Sequence, residues 1–279
     1  MKAKSVTRFA RAKINLSLHV TGVRDDGYHL LDSLVAFAGV GDEVTVSEAS
    51  ELSLIVDGPL SEGVPTDGRN LVMKAAQMFA PSLDLSQGAA ISLTKNLPNA
   101  AGIGGGSADA AATLLALAEL WDVPLPDDPV SLGADVPVCL SPMALRMRGV
   151  GEYLSPIPPL PALWAVLVNP GVAVETPPVF KALCDKENPA MSVMPEWTRT
   201  ADFVTWCAAQ RNDLEAPAIG LAPVIQDVLA ALEPSLLARM SGSGATCFGL
   251  CESAEQAEVL AAQISRDHPD WWVVASTLS

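Results

Sequence analysis

The stretch PNAAGIGGGSADAAATLLAL, residues 98–117, places four glycines within five positions, directly before an alanine-rich segment of helical character. The N-terminus of a helix leaves backbone N–H groups without partners and carries a partial positive charge. Glycine adopts positive φ angles and lets a ligand approach the backbone closely. A tight turn alone would not need so many glycines, so the stretch predicts a phosphate-binding loop leading into a helix over Ser107–Trp121.

Two common phosphate-binding motifs do not fit this loop. A Walker A loop ends in Gly-Lys-Ser or Gly-Lys-Thr, whereas Gly106 is followed by Ser107 and Ala108. A dinucleotide-binding fingerprint requires a strand that ends in an acidic residue about 20 residues further on, where this chain continues as a helix. Because phosphoryl transfer usually needs cations in addition to amide groups, the positive charge must come from elsewhere in the chain or from Mg²⁺.

Composition limits the possible classes of function. The chain has 279 residues, of which 49% are apolar and 18% charged, which is typical of a globular protein. Its formal net charge of -15 argues against a general nucleic-acid-binding protein but permits a small anionic substrate. Charges or prolines interrupt the apolar runs, so we expect neither a membrane-spanning helix nor a signal peptide. The five cysteines are scattered without CxxC spacing, which favours free thiols in a cytoplasmic protein over a metal cage or a disulfide framework.

The remaining patterns predict an α+β protein in two halves. Residues 11–21 alternate between apolar and polar side chains, as in a half-buried strand. The proline-rich segment Pro156–Pro161 suits a crossing between the halves, which gives predicted domains 1–158 and 159–279. Further predicted strands are Glu43–Ser47, Leu52–Val56, Ala90–Thr94, Leu163–Val168, Leu236–Met240, Thr246–Leu250 and Trp272–Ser276. Further predicted helices are Asn70–Phe79, Pro177–Leu183, Ala201–Ala209, Ala222–Leu232 and Ala254–Ser265.

Two charged residues and a second glycine-rich segment are candidates for chemistry. Lys13 lies on the polar face of the first strand, two residues before Asn15, and the strand alone would favour a solvent-facing lysine. Asp135 in LGADVP is expected at the mouth of a strand, because Pro137 favours an extended residue before it; a helix cap or turn is the common alternative. A lysine and an aspartate together would orient and deprotonate a substrate hydroxyl. The segment MSGSGATCFGL, residues 240–250, predicts a strand, a tight turn and a strand.

These segments together resemble the GHMP kinases, a family that includes galactokinase and the homoserine, mevalonate and phosphomevalonate kinases. The resemblance rests on ARAKINLSLHVTGVRDDGYHLLDSL (residues 10–34), the glycine loop, LGADVPV (132–138) and GSGATCF (242–248), in the order the family has them. It implies a ribosomal-protein-S5-domain-2-like N-terminal half, a ferredoxin-like C-terminal half and an active site in the cleft between them.

The resemblance also implies roles for individual residues. Lys13 and Asp135 would be the catalytic pair, with Asp135 accepting the proton of the substrate hydroxyl. The residues expected to bind ATP are Asn70, Lys95, Pro98, Asn99, Ala100, Ala101, Gly102, Ile103, Gly104, Gly105, Gly106, Ser107 and Ala108. The residues expected to bind the phosphoryl acceptor are Asn15, Tyr28, His29, Thr176, Phe180, Gly242, Ser243 and Gly244, with Tyr28, His29 and Phe180 around a cytosine ring. No metal ligand is assigned.

The resemblance implies transfer of the γ-phosphoryl group of ATP, with Mg²⁺, to the 2-hydroxyl of a cytidyl diphosphate ester of a methylated tetritol, in the non-mevalonate route to isoprenoid precursors. The alternatives are a GHMP kinase for another small alcohol and a non-catalytic nucleotide sensor on the same fold. We expect a monomer or homodimer that binds neither nucleic acid nor membrane. Two departures from the family pattern are Asp109, which is electrostatically awkward near phosphates, and the short segment 122–132.

Overall fold

The computed structural model describes residues 4–79 and 88–279. The chain divides into two compact units, of which the first comprises residues 1–12, 40–99 and 104–142 and the second comprises residues 13–39, 100–103 and 143–279. A single cut at 158/159 does not reproduce this grouping, so the predicted domain boundary stays a prediction. No helix among the described residues is long and apolar enough to cross a membrane.

The predicted α+β class is confirmed by ten strands and eight helices among the described residues. The strands are β1 (Ser5–Val23), β2 (His29–Ala49), β3 (Ser53–Asp57), β4 (Gly88–Thr94), β5 (Leu145–Gly149), β6 (Tyr153–Pro156), β7 (Leu163–Asn169), β8 (Leu237–Met240), β9 (Cys247–Cys251) and β10 (Trp272–Leu278). The helices are α1 (Leu71–Gln77), α2 (Gly105–Trp121), α3 (Val136–Cys139), α4 (Thr176–Ala182), α5 (Thr200–Ala208), α6 (Glu215–Leu221), α7 (Val224–Ala231) and α8 (Ala254–Asp267).

In the first unit, β3, β4, the start of β1 and the second half of β2 form a mixed sheet beside a pair of helices. The second half of β2 pairs antiparallel with β4, from Glu43 opposite Thr94 onward, and β3 pairs parallel with the outer side of β4. Helix α1 packs against α2, and Phe79 meets Trp121 edge to face at 5.4 Å. Helix α2 is buried along most of its length, which fits its run of alanine and leucine.

The second unit is built on the antiparallel strand order β10-β7-β9-β8, with β2 beside β10. Helix α8 covers these strands with a stripe of Ala257, Leu260, Ala261 and Ile264, whose spacing is that of an amphipathic helix. Its start is capped by Ser253, whose hydroxyl accepts a hydrogen bond from the N–H of Gln256. The proline-rich segment after β6 leads into β7 within this same unit.

The prediction of a half-buried first strand is wrong. Both faces of β1 are covered from residue 12 to residue 20. Its polar side chains Lys13, Asn15, Ser17 and His19 are each at most 4% exposed. Alternation of apolar and polar residues therefore marks two different buried faces here, one a core and the other lined with hydrogen-bonding groups.

Several other elements differ from their predicted form. Strand β2 begins fourteen residues before the predicted Glu43, because the run Leu34–Ala38 is buried on both faces and shows no alternation. Helix α6 has no predicted counterpart. Asp135 stands at the N-cap of α3 rather than at the mouth of a strand, so the expected extended geometry is wrong there.

His19 links β1 to two segments of the second unit and is sensitive to protonation. Its Nε2 accepts a hydrogen bond of 3.0 Å from the N–H of Arg211, so Nδ1 carries the proton and donates to the Pro189 carbonyl at 3.0 Å. A protonated ring would lose the Arg211 bond. Burial lowers the pKa of His19 below its ordinary value, with the Arg211 charge acting in the same direction.

Below about pH 6.5, His19 binds a proton in the unfolded chain more readily than in the folded protein. We therefore expect the free energy of unfolding to decrease as the pH falls below about 6.5. Urea unfolding of the wild type and of His19→Gln at pH 7.5 and pH 5.5 measures this. The free energy of unfolding should fall more between these pH values in the wild type than in the variant. Equal decreases in the two proteins would contradict the assignment to His19.

Candidate functional site

The glycine loop adopts backbone angles that glycine favours. Gly102 has φ +72°, and Gly104, at the N-cap of α2, has φ +64°. Ala100 also has a positive φ of 49°, which is uncommon for a residue with a side chain. The loop thus ends in a left-handed residue that directs the first amide groups of a 17-residue helix toward the loop.

The second glycine turn lies directly against the first within the second unit. A Cβ atom on Gly102 would lie 2.6 Å from the Ser241 carbonyl oxygen and 2.7 Å from the backbone nitrogen of Gly244. A Cβ on Gly242 would lie 2.8 Å from the Gly102 carbonyl oxygen. The N–H of Thr246 donates to the Ala101 carbonyl at 3.1 Å. The two turns therefore touch backbone to backbone, an approach that only glycine allows at these positions.

Strand β1 is hydrogen-bonded to both turns. The N–H of Lys13 donates to the Ile103 carbonyl at 2.9 Å, and the N–H of Asn15 donates to the Ser241 hydroxyl at 3.0 Å. The Ser241 hydroxyl in turn donates to the Gly102 carbonyl at 3.1 Å. The backbone of the predicted catalytic lysine is thus fixed in register with the glycine loop.

Two residues that the sequence patterns did not single out support the second turn. Ser241 is fully buried and forms the bridge just described. The Asn212 amide donates to the carbonyls of Met240 and Gly242 at 2.8 and 2.9 Å, while its oxygen accepts from the N–H of Leu214. A serine directly before a glycine turn was a signal available in the sequence, whereas nothing local connected Asn212 with residue 242.

The aromatic residues expected around a cytosine ring are partly brought together. His29 and Phe180 stack with ring centroids 4.6 Å apart and an interplanar angle of 28°. His29 Nε2 is buried and has no hydrogen-bond partner, and burial lowers the pKa of this ring. Tyr28 is 62% exposed, with the Arg24 guanidinium over its ring at 5.5 Å from the centroid. A buried nitrogen without a partner beside a stacked ring is suited to a ligand with a polar edge.

Polar residues predicted for the acceptor alcohol also lie next to one another. The hydroxyls of Thr176 and Ser243 are 2.8 Å apart. The Asn15 amide donates to the Ser33 hydroxyl at 2.7 Å, while Asn15 Oδ1 is buried without a hydrogen-bond partner. A Cβ on Gly242 would lie 3.2 Å from that oxygen. Asn15 therefore presents an unused acceptor beside the second glycine turn.

Two residues expected near the nucleotide base have their side chains engaged within the protein. Asn70 caps α1, since its oxygen accepts from the N–H of Val72 at 2.9 Å, and its amide donates to the Pro65 carbonyl at 2.7 Å. The ammonium group of Lys95 is buried and forms ion pairs with Asp42 and Asp109. Contacts of these two residues with a nucleotide stay predictions.

The two predicted catalytic side chains belong to different elements. Lys13 is 4% exposed on β1, in the second unit. Asp135 is half-buried at the start of α3, in the first unit, and its carboxylate does not cap that helix. An N-cap aspartate commonly accepts a hydrogen bond from the first amide groups of its helix, and Asp135 does not.

The described residues contain no group of three or more His, Cys, Asp or Glu side chains that could hold a metal ion. Mg²⁺ in phosphoryl-transfer enzymes typically keeps several waters and binds substrate phosphates with one or two carboxylates, so it requires no such group. No protein ligand is assigned to Mg²⁺.

Two family models match the chain. The GHMP kinases N terminal domain matches residues 70–141, and the GHMP kinases C terminal model matches residues 196–270. The chain is 56% identical over 277 residues to the 4-diphosphocytidyl-2-C-methyl-D-erythritol kinase of Cereibacter sphaeroides, covering 97% of this chain and 98% of that one. It is also 56% identical to the protein of that name from Ruegeria pomeroyi, covering 96% of this chain and 97% of that protein.

Solved structures agree with these matches. A crystal structure of 4-(cytidine 5'-diphospho)-2C-methyl-D-erythritol kinase superposes with a TM-score of 0.79 at 34% identity, covering 98% of this chain and 99% of the other. A homoserine kinase from Cytophaga hutchinsonii superposes with a TM-score of 0.69 at 19% identity, covering 99% of this chain and 95% of the other, which shows a shared fold.

Proposed function

This chain belongs to the GHMP kinase family, and on that premise we propose that it phosphorylates the 2-hydroxyl of 4-diphosphocytidyl-2-C-methyl-D-erythritol with ATP, in the non-mevalonate route to isoprenoid precursors. The observation that carries the proposal is the 56% identity, over 97% of the chain, to an enzyme named for this substrate. The predicted motifs lie within that alignment, and the positive φ angles of the glycine loop at the start of α2 support a phosphate-binding role.

The glycine loop is proposed to hold the ATP phosphates with backbone amide groups. Residues 98–108 lead into the N-terminus of α2, which favours negative charge. The contact between Gly102 and the second glycine turn supports this role, because it fixes the loop before the nucleotide binds. A preformed cradle needs little rearrangement when charge develops during the transfer.

Lys13 and Asp135 are proposed as the catalytic pair. Asp135 accepts the proton of the 2-hydroxyl as the oxygen attacks the γ-phosphorus; the bond from that phosphorus to the β,γ-bridging oxygen breaks, and ADP leaves with that oxygen. Lys13 supplies positive charge near the transferred group, in place of the lysine that the loop lacks. Positioning and charge neutralisation make up most of the catalysis in such reactions. The hydrogen bond from the Lys13 backbone to Ile103 supports this role by holding the lysine beside the loop.

Mg²⁺ is proposed to accompany ATP, where it would neutralise charge on the phosphates.

The five cysteines, all within the described residues, are free thiols, which supports a reducing compartment such as the cytoplasm. We propose a monomer or homodimer that acts on this small molecule and binds no nucleic acid.

Cytosine recognition is proposed to use Tyr28, His29 and Phe180, with His29 Nε2 meeting the polar edge of the base. Phe180→Ala removes a stacking face, and stacking of a base on an aromatic side chain contributes about 1–3 kcal/mol. We expect the KM for the cytidyl substrate to rise roughly 5- to 150-fold. The KM for ATP should change little. Steady-state kinetics with each substrate varied in turn, together with the melting temperature, measures this.

Phe180 also packs against the core of the second unit, so its structural contribution needs a control. Val179→Ala, at the neighbouring and fully buried position on α4, removes core volume without removing the ring. A large drop in melting temperature for Phe180→Ala with equal weakening for both substrates would assign Phe180 to the core. Cytosine recognition would then depend on Tyr28 and His29.

The direct test is an ADP-release assay with ATP and three alcohols in parallel: the cytidyl substrate, mevalonate and homoserine. We expect turnover with the cytidyl substrate and competition by CDP. Turnover with another alcohol in preference would indicate a different GHMP kinase. Binding of ATP without ADP release with any of the three would indicate a nucleotide sensor.

A further inference from the structure

Three charged side chains form a buried cluster behind the start of α2, within the first unit. Asp42, Lys95 and Asp109 are 0%, 2% and 4% exposed. The Lys95 ammonium group donates to the Asp42 carboxylate and to Asp109 Oδ2, the latter at 2.9 Å. Burying one cation with two carboxylates is costly unless each is well paired, so a contribution to stability does not by itself explain the cluster.

Asp42 fixes the chain that enters the glycine loop. Its Oδ1 accepts hydrogen bonds from the N–H groups of Asn96 and Leu97, at 2.6 and 2.9 Å. The Asn96 amide also reaches the Gly41 carbonyl at 3.3 Å. One carboxylate therefore holds the ammonium group with one oxygen and the last two residues before Pro98 with the other.

Asp109 connects the same ammonium group to the helix. It lies one turn after Gly105, the first residue of α2. A Cβ on Gly105 would lie 3.8 Å from Lys95 Nζ and 3.8 Å from Leu97. The ammonium group is therefore packed directly behind the helix start, and the cluster joins the segment before the loop to the segment after it.

The charges of the cluster remove the conflict expected between Asp109 and bound phosphates. Burial raises the pKa of the Asp109 carboxyl to about 7, and its Oδ1 has no hydrogen-bond partner. Burial alone would lower the pKa of Lys95, but Asp109 and Asp42 together raise it above its ordinary value. The Lys95 ammonium group pairs with both carboxylates and so offsets the negative charge that Asp109 would otherwise place near the phosphates.

We propose that Asp42, Lys95 and Asp109 are positioning residues for the nucleotide, an inference that rests on the function proposed above. The cluster holds residues 95–97 and the first turns of α2 at a fixed spacing. That spacing sets the direction of the loop amide groups that meet the phosphates. The ammonium group acts through the loop rather than by contact with the nucleotide base.

Asp109→Ala and Asp109→Asn test this inference as a pair. Asparagine keeps an oxygen that can accept from Lys95, whereas alanine leaves the ammonium group with one carboxylate. For Asp109→Ala we expect the Kd for ADP, measured by calorimetry, and the KM for ATP to rise about 5- to 30-fold. Asp109→Asn should stay within about threefold of the wild type, and the KM for the cytidyl substrate should change little in both variants.

Leu120→Ala is the matched control, because Leu120 is 3% exposed at the far end of the same helix. It should lower the melting temperature without changing the KM for ATP. If Asp109→Ala does not fold, Asp109→Leu fills the same space and leaves a Lys95–Asp42 pair, with the same rise expected.

Three results would overturn the inference. One is a folded Asp109→Ala or Asp109→Leu protein that binds ADP as tightly as the wild type. Another is a rise in the KM for ATP in Leu120→Ala equal to that in Asp109→Ala. The third is a wild-type protein that binds no ADP at all. This result would refute the proposed function as well, whereas the first two results would refute only the positioning role.

Discussion

Asp135→Asn is expected to reduce kcat by about 10²- to 10⁴-fold while the protein folds normally, because the amide keeps the shape of the side chain but cannot accept the proton of the 2-hydroxyl. The Asp135 carboxylate makes no cap hydrogen bond with α3, so the substitution leaves the start of that helix intact. The KM for ATP should change little. Single-turnover and steady-state rates of ADP release, with the melting temperature, measure the effect.

Asp127→Asn is the control for this substitution. Asp127 is exposed in the segment before α3, and the same change of charge there should leave kcat unchanged. Activity of Asp135→Asn within a few-fold of the wild type would remove Asp135 from the mechanism and leave it a turn residue.

Gly102→Ala is expected to give the second large effect. The new Cβ would lie 2.6 Å from the Ser241 carbonyl oxygen, at a backbone φ of +72° that alanine resists. Left-handed strain of about 1–2 kcal/mol and overpacking of about 1–3 kcal/mol should together lower the free energy of unfolding by about 2–5 kcal/mol. Because relief requires the two glycine turns to separate, the Kd for ADP should rise at least about tenfold.

Gly63→Ala separates strain from displacement of the loop. Gly63 has a similar φ of +74°, and a Cβ there would meet no atom within 4 Å. It should cost about 1–2 kcal/mol of stability and leave ADP binding unchanged. Equal ADP affinity in Gly102→Ala and the wild type would show that the contact between the turns does not shape the phosphate site. A substitution of Gly105, which lies within the same motif, would test this contact less directly. A Cβ at Gly105 would meet nothing closer than 3.8 Å.

Local sequence patterns predicted the elements that local interactions determine. Helix α8 was predicted from Ala254, its true first residue, because Ser253 caps it and its apolar residues recur at helical spacing. Strands β3 and β7 were likewise predicted within a residue or two. Strand β2 was predicted only in its last part, since the run Leu34–Ala38 is covered on both faces and lacks the alternation of a half-buried strand.

Some of the predicted site residues lie next to one another in the structure, whereas the surroundings of others were not predicted. The resemblance to the GHMP kinases supplied the roles of His29, Phe180, Thr176 and Ser243, and the structure brings them together in pairs. Lys95 was expected beside the nucleotide base, but its ammonium group is enclosed by two aspartates. Asp42, which is separated from Lys95 by 53 positions, gave no local signal.

The sequence by itself determined the family, the class of reaction and the position of the glycine loop before α2, because a glycine-rich run before a helix has the same backbone consequences in any context. Only the tertiary structure decided which polar groups are buried, which is why Lys13 and Asn15 lie on an enclosed face of β1 rather than in solvent. It also decided that Gly102, rather than Gly105, is the glycine without space for a side chain. The burial of a side chain and the close contact between two backbone segments both depend on residues distant in the chain. Local sequence patterns around the loop therefore cannot predict them.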